Sequence, residues 1–149
     1  MTRAAIAVLL VLAACDDPSG VSDSSVTGLW VFQASDLVTA DDEAVCGAST
    51  RLRIVQNGDE LSGTVEGTTF GGCTDAHGGY GYGSAYVGHT VTGGRVFGQR
   101  FWMRGDNWHA GILTQESVDT IRGDIKITWG ATERSGRVVF SRVHGLPSQ

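Results

Sequence analysis

The sequence predicts an all-β domain, an eight-stranded antiparallel up-and-down β-barrel. Three observations predict it. No stretch after residue 25 sustains a helical 3.6-residue period for three turns, whereas short runs alternate apolar and polar residues. Glycine is 22 of 149 residues, about twice the usual share of roughly 7%, and is scattered through those runs rather than gathered in one tract. Turn signals recur at short, even intervals, with Asn57-Gly58 the strongest of them.

The chain opens with Arg3, an apolar run from Ala4 to Ala14, and small residues before Cys15, the order of an export signal. That run is too short to span a bilayer, which takes about 20 residues. Leu12-Ala13-Ala14-Cys15 resembles the lipobox of bacterial lipoproteins. The resemblance implies cleavage before Cys15, acylation of its thiol, and a mature protein anchored to a membrane of the cell envelope, facing the periplasm or the exterior. Asp16 occupies the position that marks inner-membrane retention in enterobacterial members, a rule that varies between bacteria, so the choice of membrane stays open. Removing the first 14 of 149 residues leaves 135, about one domain. Asp16 to Ser25 has Pro, Gly, Ser and Asp without apolar periodicity and reads as a tether. The expected organisation is thus 1–14 signal peptide, 15–26 lipidated cysteine and tether, 27–144 barrel, and 145–149 tail.

The strands follow in order. Gly28 to Ala34 opens the domain. Ser49 to Gln56 and Glu60 to Gly67 form a hairpin about Asn57-Gly58-Asp59, where positive φ is tolerated. Tyr82 to Thr90 is a weak strand, followed by a short turn near Thr92-Gly93. Gly94 to Arg104 and Trp108 to Thr114 pair around Gly105-Asp106-Asn107. Asp119 to Thr128 and Gly136 to Val143 close the series. Ile121, Gly123, Ile125 and Ile127 form one face of their strand and Arg122, Asp124, Lys126 and Thr128 the other, the alternation of a strand with one buried side. The expected interior comprises Trp30, Phe32, Leu52, Ile54, Leu61, Val65, Phe97, Phe101, Met103, Ile121, Ile125, Ile127 and Phe140. Arg100, Trp102 and Arg104 face outward. A one-sided meander of eight strands best avoids exposed edges by closing on itself.

With Cys15 assigned to lipid, Cys46 and Cys73 remain in an oxidising compartment, and an even remainder favours one disulfide. In a closed meander the loops alternate between the two ends. The connections Ser35 to Ala48 and Thr68 to Gly81 therefore share a rim, and the bridge is expected to staple them.

Gly28-Leu29-Trp30 before a meander resembles the start of the lipocalin and avidin-type calycin barrels, whose Gly-x-Trp indole plugs the barrel floor. The resemblance extends as a pattern over roughly residues 27 to 143. It implies the barrel fold and a basic residue near the last strand, Arg137 or Arg142. It implies no particular ligand.

The formal charge is −5, about −6 once Arg3 is removed, which argues against nucleic acid as a partner. Eleven acids against Arg51 and Arg53 occupy Asp16 to Asp75, while eight bases against five acids occupy Arg95 to Arg142. Gly-x-Ser-x-Gly, His-Glu-x-x-His and phosphate-cradling loops are missing, so neither an enzyme nor a cofactor is expected. Cys73-Thr74-Asp75-Ala76-His77 holds three metal-capable side chains, but a disulfide would consume the thiolate, and no metal is expected. The expectation is a lipid-anchored barrel that binds a small apolar or aromatic ligand, or a protein, at its long-looped rim. Asp75, His77, Tyr80, Tyr82, Trp108 and His109 are the candidate contacts. The alternatives are an envelope-associated inhibitor, whose acidic rim (Asp36, Asp41, Asp42, Glu43, Asp75) would steer a basic protein, and a passive structural lipoprotein.

Overall fold

The structure is a computed structural model that describes residues 25–39, 44–74, 80–81, 90–129 and 131–145, with side chains for all of these except 67–70, 80 and 81. Cys15, the signal run and most of the tether lie outside the described residues. The described chain is all strand and turn. β1 (Gly28–Val38), β2 (Val45–Asn57), β3 (Glu60–Thr74), β4 (Tyr80–Gly81), β5 (Thr90–Phe97), β6 (Arg100–Gly105), β7 (Trp108–Ser117), β8 (Thr120–Trp129) and β9 (Thr132–Arg142) follow in order. Antiparallel neighbours run β2-β1-β9-β8-β7-β6-β5-β3, and β2 also pairs with β3, so eight strands close into a barrel. The two-residue β4 is an extra pairing on the far end of β3, at Cys73 and Thr74.

Eight barrel strands agree with the expectation, but one of them was drawn in the wrong place. Gly94 to Arg104 is not one strand. Gly98 sits at φ 62° and turns the chain between β5 and β6, with Phe97 opposite Arg100. A two-residue hairpin needs positive φ at its first central position, which glycine meets without a Cβ penalty. Phe97 consequently lies outside at 59% exposure, while Phe101 and Met103 stay inside. Thr92-Gly93 lies within β5 rather than in a turn. Of the expected strand Tyr82 to Thr90, only Thr90 falls among the described residues, as the first residue of β5. Gly58, at φ 60°, makes the expected β2–β3 hairpin.

One end of the barrel, here called the rim, holds the last residues of β1, β3, β6 and β8 and the 106–107 tip. The other end carries the turns at 58–59, 98–99 and 118–119, and is the floor. Cys46 and Cys73 are bonded, 27 positions apart, at the rim. Their setting corrects the expectation, because both lie on strands and face each other directly across the β2–β3 ladder. Residues drawn as loop, 45–48 and 68–74, are strand because the disulfide and the sheet ladder extend together.

The barrel interior is filled with side chains. Trp30, Phe32, Leu37, Ile54, Met103, Leu113, Ile121, Ile127 and Phe140 are fully buried. Phe32 meets the Phe140 ring edge-on at 5.4 Å between centroids and the Trp108 ring at 5.8 Å, an arrangement that aromatic quadrupoles favour. Val65 packs half-buried against this cluster. Thr50, opposite Phe32, is buried with a hydroxyl that has no partner among the described residues.

The floor is closed by one cation. The Arg142 guanidinium lies over the Trp30 ring at 4.4 Å. It donates to the carbonyl oxygens of Val118 (2.8 Å), Thr27 (2.9 Å) and Ser25 (3.0 Å). Trp30 Nε1 donates to Val26 O at 2.9 Å, and buried Val26 caps the core beneath it. Of the two basic residues left open, Arg142 is therefore the one over the floor tryptophan. Arg137 instead pairs with Asp36 on the outer wall at 2.7 Å.

Candidate functional site

Because strand side chains alternate, the outward residues of neighbouring strands build the barrel's outer wall. Trp102 and Arg104 of β6, His109 of β7, Lys126 and Thr128 of β8 and Glu133 of β9 come together there, next to the rim. With the 105–107 hairpin tip and the edges of Trp108 and Trp129, they line an open groove of about 1130 Å³. The tip is held in place by a reciprocal pair. Thr128 N donates to Asn107 O at 2.8 Å, and Asn107 Nδ2 donates to Thr128 O at 3.1 Å.

Trp108 belongs first to the core, at 3% exposure. Its indole crosses directly beneath Gly105, where an added Cβ would fall 2.0 Å from Nε1. Glycine is required at 105 for that close approach, not for its backbone angle. The Nε1 donors of Trp108 and Trp129 are both buried without an acceptor among the described residues. Buried indole N–H groups normally find a partner. Two unmatched donors in the wall of one groove are what distinguish it from the rest of the surface.

The groove's charges are balanced. Lys126 pairs with Glu133 at 2.8 Å, and Asp106 accepts from the Thr90 hydroxyl at 3.2 Å. Arg134 lies over the Trp129 ring at 5.9 Å. A second cleft of about 590 Å³ adjoins along the wall, sharing His109 and Lys126 and adding Asp36, Asp124 and Arg137. Asp36 reaches it because a bulge in β1 puts this residue at φ 54°, out of register with both β2 and β9.

Of the expected contacts, the structure brings Trp108 and His109 together at the groove. Tyr80 is placed in β4, opposite Thr74. Asp75, His77 and Tyr82 lie outside the described residues, as do Asp41, Asp42 and Glu43 of the expected acidic rim. Asp36 is described, and its carboxylate is engaged by Arg137. The Cys73 sulfur is bonded to Cys46 and is no thiolate ligand. Among the described residues, no three His, Cys, Asp or Glu side chains converge in a metal-holding group. Sequence reasoning weighed Trp102, Trp108 and Trp129 as lining one pocket, but missed Lys126 and Glu133 and did not join Arg104 to them. Their outward parity was readable, but the adjacency of β8 and β9 to the 105–107 tip was not.

No protein-family model matches the chain. A comparison with curated proteins found none that matches significantly.

Proposed function

We propose that the chain is a lipid-anchored binding protein of the bacterial cell envelope whose ligand docks on the outer wall at the rim. The observation that carries this reading is the contrast between a filled interior and an open groove. Trp30, Phe32, Phe140 and the aliphatic side chains around them occupy the space where a barrel of this size would hold a small ligand. The groove offers Trp102 and Trp129 as apolar surface above the edge of buried Trp108, with Arg104, Asp106, His109, Lys126 and Glu133 around them. That mixture suits a small molecule with an aromatic or apolar face and polar edges. The anchor is the acylated Cys15 expected from the lipobox resemblance, and the role is binding rather than turnover.

Thermal-shift screening of the full chain against aromatic, lipidic and polar-ring ligands, followed by titration of Trp102→Ala and His109→Ala, tests the reading. A ligand whose affinity falls at least tenfold in Trp102→Ala, at unchanged melting temperature, supports it. Ligand-dependent shifts that neither substitution alters would overturn the assignment of the groove.

A further inference from the structure

The groove lies at the rim, and the opposite end has its own unexplained surface. Two large apolar side chains are exposed at floor turns, Phe97 at 59% and Val118 at 52%. Phe97 flanks the 98–99 turn and Val118 opens the 118–119 turn. The turns are neighbours, since Gln115 N of β7 donates to Gln99 O at 2.9 Å.

The chain's route toward its leader leaves from this same end. Ser25 and Thr27 are held by the guanidinium that also holds the Val118 carbonyl, so Arg142 ties the apolar tip and the tether exit into one fixed unit. Cys15 lies ten residues before Ser25. Fully extended, that length reaches at most about 35 Å, so a lipid on Cys15 keeps the floor close to the bilayer.

From this placement we infer that the floor is a membrane-contact surface, with Phe97 and Val118 entering the interfacial region of the bilayer that carries the anchor. The inference rests on the lipid-anchor reading above. Charges at the floor are mixed. Exposed Arg95 and Arg100 flank Phe97, whereas exposed Asp59 and Glu60 occupy the next hairpin tip. Apolar contact therefore carries the attraction, not net charge. Two side chains alone hold a protein to lipid only weakly. An acyl anchor converts their insertion into an intramolecular event at high effective concentration, where weak contacts suffice. The barrel then stands on its floor, and the rim groove faces away from the membrane, open to solutes or partners.

The test uses the full acylated chain in phosphatidylcholine–phosphatidylglycerol vesicles, with and without brominated acyl chains, which quench tryptophan on contact. Phe97→Trp and Val118→Trp are compared with Val45→Trp, an exposed position at the opposite rim. The emission added by the first two substitutions is expected to be quenched several-fold more than that added by Val45→Trp. Equal quenching in all three, with the acyl mass present on Cys15, would overturn the floor contact and leave the anchor standing. Absence of the acyl mass would overturn the anchor reading and this inference with it.

Discussion

Replacing Arg142 should destabilise the domain more than any other single surface change. The side chain is 19% exposed, stacks over Trp30 and donates three hydrogen bonds to backbone carbonyls on two separated segments. Hydrogen bonds from a charged donor contribute about 1.5 to 3 kcal/mol each. At the wet floor the lower figure applies, because water can replace the donor, so the three together contribute about 4.5 kcal/mol. The cation–π contact adds about 1 kcal/mol. Freeing the side chain returns about 2 kcal/mol of rotamer entropy. Arg142→Ala is therefore expected to lose about 3.5 kcal/mol, a fall in Tm of roughly 10 to 18 °C for a domain of this size. Arg142→Lys keeps the charge but cannot present a planar fork to three carbonyls, and should lose about half as much. Urea unfolding of both variants, followed by tryptophan emission, gives the two numbers at constant m. A loss below about 1 kcal/mol for the alanine variant, or a lysine variant equal to the wild type, would refute the reasoning that one guanidinium closes the floor.

Four further outcomes are expected. Removing the Cys46–Cys73 bridge with paired serines should cost about 3.5 kcal/mol by loop-closure entropy for 27 positions, visible as a lower urea midpoint that added reductant no longer changes. Gly98→Val, at φ 62°, should cost about 1 to 2 kcal/mol through strain in the β5–β6 turn, whereas Gly111→Val on the outer wall should cost less in the same assay. Thr50→Val removes a buried hydroxyl without a partner at nearly constant shape and should raise stability by about 1 kcal/mol by calorimetry. The Arg53 hydrogen bond holds the exposed Glu66 carboxyl below the usual carboxylate range. Its contribution is present above the unfolded pKa and is lost as pH falls through the lower folded value. Glu66→Gln should thus lower Tm slightly at pH 7 and progressively less as the pH falls through the lowered folded value; a difference that persists undiminished in acid would sink this account.

Most of the barrel was legible because its strands bury one side. In β8, Ile121, Ile125 and Ile127 alternate with charged or polar residues, and a period of two states the inward face unambiguously. Asn57-Gly58 marked its turn, which the structure centres one residue later, on Gly58-Asp59, with positive φ at Gly58 and not at Asn57. The β5–β6 turn was hidden because Phe97-Gly98-Gln99-Arg100 reads equally as a strand with one glycine. As one strand it would put Phe97 and Phe101 on the same face, whereas the turn pairs Phe97 with Arg100 on the outside and leaves Phe101 inside. The groove was less legible than the barrel. His109 and Trp108 are close in sequence, but Lys126 and Glu133 reach the site only through strand pairing.

The sequence by itself determined the all-β class and the number of barrel strands, which follow from local alternation and turn residues acting within a few neighbours. The pairing of Cys46 with Cys73 and a tryptophan at the floor were expected with the help of the lipobox and Gly-x-Trp resemblances. The tertiary structure decided that the interior is full, that Arg142 rather than Arg137 covers Trp30, and that Cys46 and Cys73 bridge two strands. It also decided that the groove lies outside the wall and that Phe97 and Val118 share the tether's end. Those outcomes depend on register across strands distant in sequence, and register is set by closure of the whole barrel, not by any stretch of it.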